Sequence, residues 1–278
     1  EQRAIADFLD RETAKIDALI EKQNAMIDLL RERRRATITQ AVTRGLEQTV
    51  EMRSSGSPYL GDVPSHWTVS RFGLEVLING GLVDPEIDPW RDMIMVAPNH
   101  IESGTGRLIG RETAAEQGAE SGKYSVRRGQ IIYSKIRPAL NKATIALEDC
   151  LCSADMYALT SRKADDTRYL TYYILSQPFH TFASEMSGRV KMPKINREEL
   201  SAAPWLRPPR HEQVAIADYL DRHSGLSTTI WTLEDMSQGI SAEYIEVLVS
   251  RKPKAGEREP DGLPQTDWRR RLKAWRRS

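Results

Sequence analysis

The sequence predicts an α+β protein in which a globular mixed α/β domain is flanked by two long helices that pair as an antiparallel coiled coil. Three observations carry this. Residues 1–11 return as residues 212–222 with nine of eleven positions identical, a spacing far too long for a stacked solenoid repeat. The stretch after the first copy carries an apolar seam of helical period. Between the copies, short β-rich runs and helical runs alternate without the regular βαβ order of a parallel sheet.

The first helix is predicted over 5–46. Ile5, Phe8 and Leu9 open it at i, i+3, i+4 spacing, no Pro interrupts it, and the first Gly is Gly45. Its seam runs Leu9, Ile16, Ile20, Ile27, Leu30, Ile38, Ala41, with Thr13, Gln23, Arg34 and Thr37 as polar interruptions. Such a helix is on the order of 60 Å long and cannot bury its stripe against itself. Ile16, Ile20, Ile27 and Leu30 are therefore the candidate partner-binding residues, expected to stay partly uncovered and to take the second helix or another subunit. Arg31, Arg33, Arg34, Arg35 and Arg44 crowd its C-terminal part, either as a solvated face or as phosphate contacts.

These signals divide the chain into a helix over 1–47, a linker over 48–58 containing Ser54-Ser55-Gly56-Ser57-Pro58, and a globular domain over 59–207. Tyr59 to Trp67 form the domain's first anchored turn. Strands are predicted at 92–96, 130–134, 144–146 and 156–159, and helices at 167–176 and 178–186. The second helix follows Pro208-Pro209 over 208–250 and starts near His211. Its seam degrades after about residue 225, where Gly225 and Gly239 each cost roughly 1 kcal/mol against Ala. The tail 251–278 is basic, and its composition predicts disorder.

A net charge of +1 hides a segregated pattern. Residues 123–142 carry Lys123, Arg127, Arg128, Lys135, Arg137 and Lys142 with no acid, interleaved with Tyr124, Tyr133 and Asn141. This is either a solvated strand-loop face or a DNA surface in which bases neutralise phosphates and Arg or Asn reads base edges. Arg189, Lys191 and Lys194, around Gly188 and Pro193, form a second candidate loop.

No catalytic chemistry is legible. The glycines at 104, 106 and 110 are spaced one residue too long for a dinucleotide fingerprint, and Gly118 to Tyr124 is one residue too short for a phosphate-binding loop. The five histidines show no zinc-hydrolase spacing, and Cys150 and Cys152 are two ordinary thiols with no second pair to complete a metal site. No catalytic residue, metal or cofactor is expected. No run reaches membrane-spanning length, so a cytoplasmic location is the default.

The repeated Glu-Gln-x-Ala-Ile-Ala-Asp-(Phe/Tyr)-Leu-Asp-Arg opening resembles the conserved helices of the specificity (S) subunit of type I restriction-modification systems. So do Leu60 to Trp67 at the start of the domain, Gly129 to Pro138 in its middle, and Pro208-Pro209-Arg210-His211-Glu212-Gln213 at its end. The resemblance implies a non-catalytic target recognition domain that reads one half of a split site in double-stranded DNA. It also implies helices that space two such domains and bind the methyltransferase (M) subunits of a complex that also holds restriction (R) subunits. On this reading Arg127, Arg128, Lys135, Arg137, Asn141, Lys142, Arg189, Lys191 and Lys194 are the candidate DNA-binding residues. One recognition domain is seen where the family has two. That fits the second half of a longer subunit, a half-size subunit that forms a homodimer through the long helices, or a remnant. The competing readings are a coiled-coil assembly protein whose domain binds protein, and a piece of a fused restriction or methyltransferase enzyme.

Overall fold

The computed structural model describes residues 2–78, 81–188 and 192–223. The chain separates into two compact units, Glu1–Gln23 with Leu233–Ser278, and Asn24–Thr232. Helix α1 (Gln2–Arg44) supplies the described part of the first unit and the opening of the second. It stops where Gly45, at φ 77°, donates its N–H to the Ala41 carbonyl at 3.1 Å, the left-handed C-terminal cap that glycine adopts without steric cost.

Within the second unit the chain then runs β1 (Met52–Ser54), β2 (Asp62–Pro64), β3 (Thr68–Arg71), α2 (Phe72–Glu75), β4 (Val76–Ile78), β5 (Leu82–Val83) and β6 (Met95–Val96). Next come β7 (Lys123–Val126), β8 (Ile131–Ser134), β9 (Ala143–Ile145), β10 (Cys150–Cys152) and β11 (Met156–Ser161). Three helices, α3 (Thr167–Leu175), α4 (Gln177–Met186) and α5 (Arg197–Ser201), lead to β12 (Pro204–Arg207) and α6 (Arg210–His223).

Two four-stranded sheets organise the domain, ordered β4-β11-β8-β9 and β5-β7-β10-β6. All pairings are antiparallel except β10 with β6, so the domain is a mixed α/β fold without parallel βαβ units. The first sheet buries Ile131, Tyr133, Tyr157 and Leu159 beneath α3 and α4. An aromatic cluster fills the centre: Tyr173 meets Trp205 edge-on at 4.8 Å, and Phe179 sits 5.3 Å from Phe72 and 5.8 Å from Tyr133. Asp166 caps α3 by accepting from the backbone N–H groups of Arg168 and Tyr169.

A third pairing, β3 with β12 (Val69 opposite Leu206), brings the start and end of the domain side by side. The Glu212 carboxylate locks them there. Its Oε2 accepts from the Trp67 indole at 2.9 Å and its Oε1 lies 2.7 Å from His66 Nε2. Gln213, fully buried, accepts from the Asp166 N–H and donates to Asp165 Oδ1 and to the Pro208 carbonyl. Farther along α6, Arg168 reaches Asp218 and Asp221 at 2.7 Å each, while Ile216, Ala217 and Leu220 enter the core. The second copy of the motif therefore spends Glu212, Gln213, Asp218 and Asp221 on contacts with the domain.

Several expectations change. The stretch 48–58 contains strand β1, which pairs with β2, because Arg53 donates to the Ser65 and Trp67 carbonyls and holds the segment against the domain. In 92–96 only Met95–Val96 is strand, since Trp90–Asp92 closes a 3-10 turn through the Met93 N–H. The continuation of the second helix, on which the coiled-coil pairing was expected, lies outside the described residues, as does the basic tail.

Candidate nucleic-acid interface

The bases that cluster in the sequence do not cluster in space. Arg127 and Arg128 sit in the turn before β8, exposed, whereas Lys135 and Arg137 follow its other end, and four strand residues span roughly 13 Å. The turn is built by Gly129 at φ 84° and by Gln130 Oε1, which accepts the Arg127 N–H; the Arg128 N–H is taken by the carboxylate of Asp149. Glu148 and Asp149, both exposed nearby in the sequence of β10's approach, dilute the positive charge at this end.

The other end is different. After β8, Lys135 donates its N–H to the Asp155 carbonyl at 3.0 Å and accepts the Ile195 N–H at 2.9 Å. Ile136 forms a β-bridge with Lys194, and the Arg137 N–H donates to the Pro193 carbonyl at 2.7 Å. This lateral pairing carries Lys194 across some sixty positions of sequence to stand beside Lys135. Arg197 comes with it at the first turn of α5, where Asn196 and Glu199 satisfy each other's backbone N–H groups in a capping box.

Lys135 is only 8% exposed, with its Nζ 5.3 Å from the ring centre of Tyr157 and 6.0 Å from that of Tyr124. Among the described residues its ammonium makes no hydrogen bond and no ion pair. Burial, then the charge of Lys194 and to a smaller extent that of Arg197, hold it below the usual lysine range, against the opposing pull of Asp155 and Cys152. Tyr157 is fixed by its own hydroxyl, which donates to the Ile195 carbonyl at 3.4 Å.

The remaining candidates fall in other surroundings. Asn141, at φ 46°, donates its amide to the Leu175 carbonyl at 2.9 Å, and Lys142 donates its ammonium to the Pro98 carbonyl at 2.7 Å. Lys123 is buried and donates to Ser121. Arg189 and Lys191 lie outside the described residues. Of the partner-binding candidates, Ile16 and Ile20 in the first unit are half-buried. In the second unit Leu30 is half-buried, but Ile27 is buried at 4% exposure, where it was expected to stay partly uncovered. It lies on the helix face that continues through Arg34, Ile38 and Ala41, all buried.

Two residues at this end were missed in the sequence: Tyr157 reads as an ordinary strand residue, and Arg197 is one of many arginines. Arg34, a possible phosphate contact by sequence, is instead buried and donates to the Gly104 and Thr105 carbonyls. The capping box of Asn196 and Glu199 is the one signal that marks the turn carrying Arg197. No group of three or more His, Cys, Asp or Glu able to hold a metal ion occurs among the described residues, and none of the described helices is long and apolar enough to cross a membrane. Burial pushes the thiols of Cys150 and Cys152 up to about 12, which makes them poor nucleophiles.

Comparison with known proteins agrees with the motif resemblance. The family described as type I restriction modification DNA specificity domain matches residues 93–234. The chain is 35% identical over 247 residues to the type I restriction enzyme EcoDI specificity subunit of Escherichia coli, covering 83% of this chain and 54% of that protein. It thus spans about half the length of that relative. Among solved structures, the HsdS subunit from Thermoanaerobacter tengcongensis aligns with 82% of this chain and 52% of its own, at 19% identity and a TM-score of 0.47. The type I S subunit from M. genitalium aligns with 66% and 46%, at 16% identity and a TM-score of 0.44. The chain belongs to the family of type I restriction modification DNA specificity domains.

Proposed function

We propose that this chain is the DNA-reading part of a type I restriction-modification complex. It binds one half of a split target in double-stranded DNA, performs no catalysis itself, and brings methyltransferase and restriction subunits to that site. The long helices serve as spacer and docking elements, pairing as a coiled coil either within a longer subunit or between two copies of a half-size one. Such a complex works in the cytoplasm.

The observation that carries the reading is the convergence of Lys135, Lys194 and Arg197 through the Ile136–Lys194 bridge. Positive charge gathered there by backbone pairing, partly offset by the Asp155 carboxylate, is complementary to a polyphosphate duplex. Arg137, exposed beside them, extends the same surface. The family match and the identity to a specificity subunit point the same way.

The test uses the full chain assembled with methyltransferase subunits and their target duplex. Replacing Arg137 and Lys194 together by Ala should weaken duplex binding at least about tenfold at moderate salt, since each lost phosphate contact removes about 0.9 from the slope of log K against log salt. Unchanged binding and unchanged methylation in that double variant would move the DNA surface elsewhere.

A further inference from the structure

We infer that Lys135, set between the rings of Tyr124 and Tyr157, is a preformed seat for one backbone phosphate of the duplex, and not a reader of base edges. The inference rests on the DNA-binding reading above and assigns the chemistry of its central residue.

Recession is the first argument. Base edges lie at the floor of a major groove about 8.5 Å deep, so a lysine that reads them must project its stem from the protein. Lys135 is 8% exposed and its backbone is held on both sides, by Asp155 and by Ile195, so its stem is packed within the protein surface and does not project from it. Phosphates stand on the outside of the duplex and can approach a recessed cation. Arg137 and Lys194, both exposed, are the neighbours able to project.

The second argument is the ammonium's surroundings. The aromatic faces at 5.3 and 6.0 Å attract a cation but accept no strong hydrogen bond, which leaves the ammonium's donors for a ligand. A free surface lysine loses its rotamer freedom when it binds; this one has already lost it on folding. Lys194 and Arg197 add positive charge from one side, while Asp155 is the carboxylate acting on Lys135, too distant for an ion pair. A singly charged phosphodiester fits that balance. A phosphate contact is blind to sequence, so the seat sets the register of the domain on DNA and leaves discrimination to projecting side chains.

The experiment takes the full chain with methyltransferase subunits and fluorescent 30-base-pair duplexes, one holding the target and two unrelated. Lys135→Met should flatten the salt slope by about one unit on all three duplexes alike. Tyr157→Leu, which loosens the cation while keeping its charge, should weaken binding to all three. In the wild-type complex, acetylation of Lys135 followed by mass spectrometry should slow at least about tenfold when any duplex is added, a readout that requires no variant to fold. Loss of binding to the target duplex alone after Lys135→Met would make it a base reader and overturn the seat. An unchanged slope with unprotected Lys135, while the Arg137 and Lys194 double variant still weakens binding, would overturn the seat and leave the DNA reading standing. A wild-type complex that binds none of the duplexes would overturn both.

Discussion

The Arg34 guanidinium donates to the carbonyl of Gly104 at 2.5 Å, tying helix α1 to a loop seventy residues away. A second donor reaches the Thr105 carbonyl at 2.9 Å. The loop is folded to receive them: Gly104 and Gly106 take positive φ, Arg107 forms a forked pair with Glu102 at 3.0 Å, and Thr144 donates to the Gly106 carbonyl. The glycines that lacked the spacing of a nucleotide-binding motif thus shape a socket for an arginine of the same chain. Burial lowers the Arg34 pKa from its ordinary value, with Tyr172 and Glu102 pulling the other way. Arg34→Ala should cost about 2–4 kcal/mol by urea denaturation, because two carbonyls lose charged donors in a part-buried setting. Amide exchange in 102–107 should rise. Arg34→Lys, with no fork, should recover less than half of the loss.

Glu212 joins the two ends of the domain through Trp67 and His66. Glu212→Ala should lower stability by about 1–3 kcal/mol, leaving the buried indole N–H without its acceptor. Trp67 is 1% exposed, so the same variant should shift tryptophan emission toward the red. A variant with wild-type stability and spectrum would mean that the β3–β12 pairing suffices to hold the ends together.

Asp165 sets a pH dependence. Burial pulls its carboxyl upward, but donors from Arg207 at 2.7 Å, Gln213 at 2.8 Å and Ser161 at 2.7 Å outweigh it, and the net direction is down. A carboxylate with a depressed folded-state pKa contributes stability that is present above its unfolded value of about 3.9 and is lost as pH falls through the folded value. Asp166, also lowered overall, acts in the same direction. Urea midpoints measured between pH 7 and pH 3 should fall steeply below about pH 4. Asp165→Asn should start lower at pH 7 and fall less; a curve parallel to wild type would assign the acid sensitivity to other carboxylates.

Asn141 separates backbone strain from side-chain bonding. Its left-handed conformation at φ 46° is tolerated by Asn and by Gly, and its amide donates to the Leu175 carbonyl. Asn141→Ala should lose both advantages, about 2 kcal/mol together, while Asn141→Gly should lose only the hydrogen bond, about 1 kcal/mol. Thermal unfolding of the two variants checks the order. Equal losses would remove the strain component.

The sequence by itself determined the elements whose signals are local. The Pro-Pro lead and helical spacing place α6, observed at Arg210–His223, and α3 and α4 start within one residue of their predicted positions. Runs at 130–134, 144–146 and 156–159 mark β8, β9 and β11 because β-branched and apolar side chains there bury on the sheet. Strands β2 and β10, three residues each and without a β-branched run, carry too little local signal: Asp62-Val63-Pro64 reads as a turn and Cys150-Leu151-Cys152 has no alternation. Family membership was equally legible, since it resides in contiguous motifs. Which bases stand together was not. Lys135 comes under the charge of Lys194 and Arg197 because a bridge at Ile136 joins segments about sixty residues apart, while Arg128, seven positions from Lys135, is carried to the far end of a strand. Nor could composition distinguish Arg34, turned inward onto Gly104, from Arg33 and Arg35 on either side, both exposed. Charge along a chain is a one-dimensional quantity, whereas the field at a protein surface is summed over neighbours in space, and only the strand pairing decides who those neighbours are.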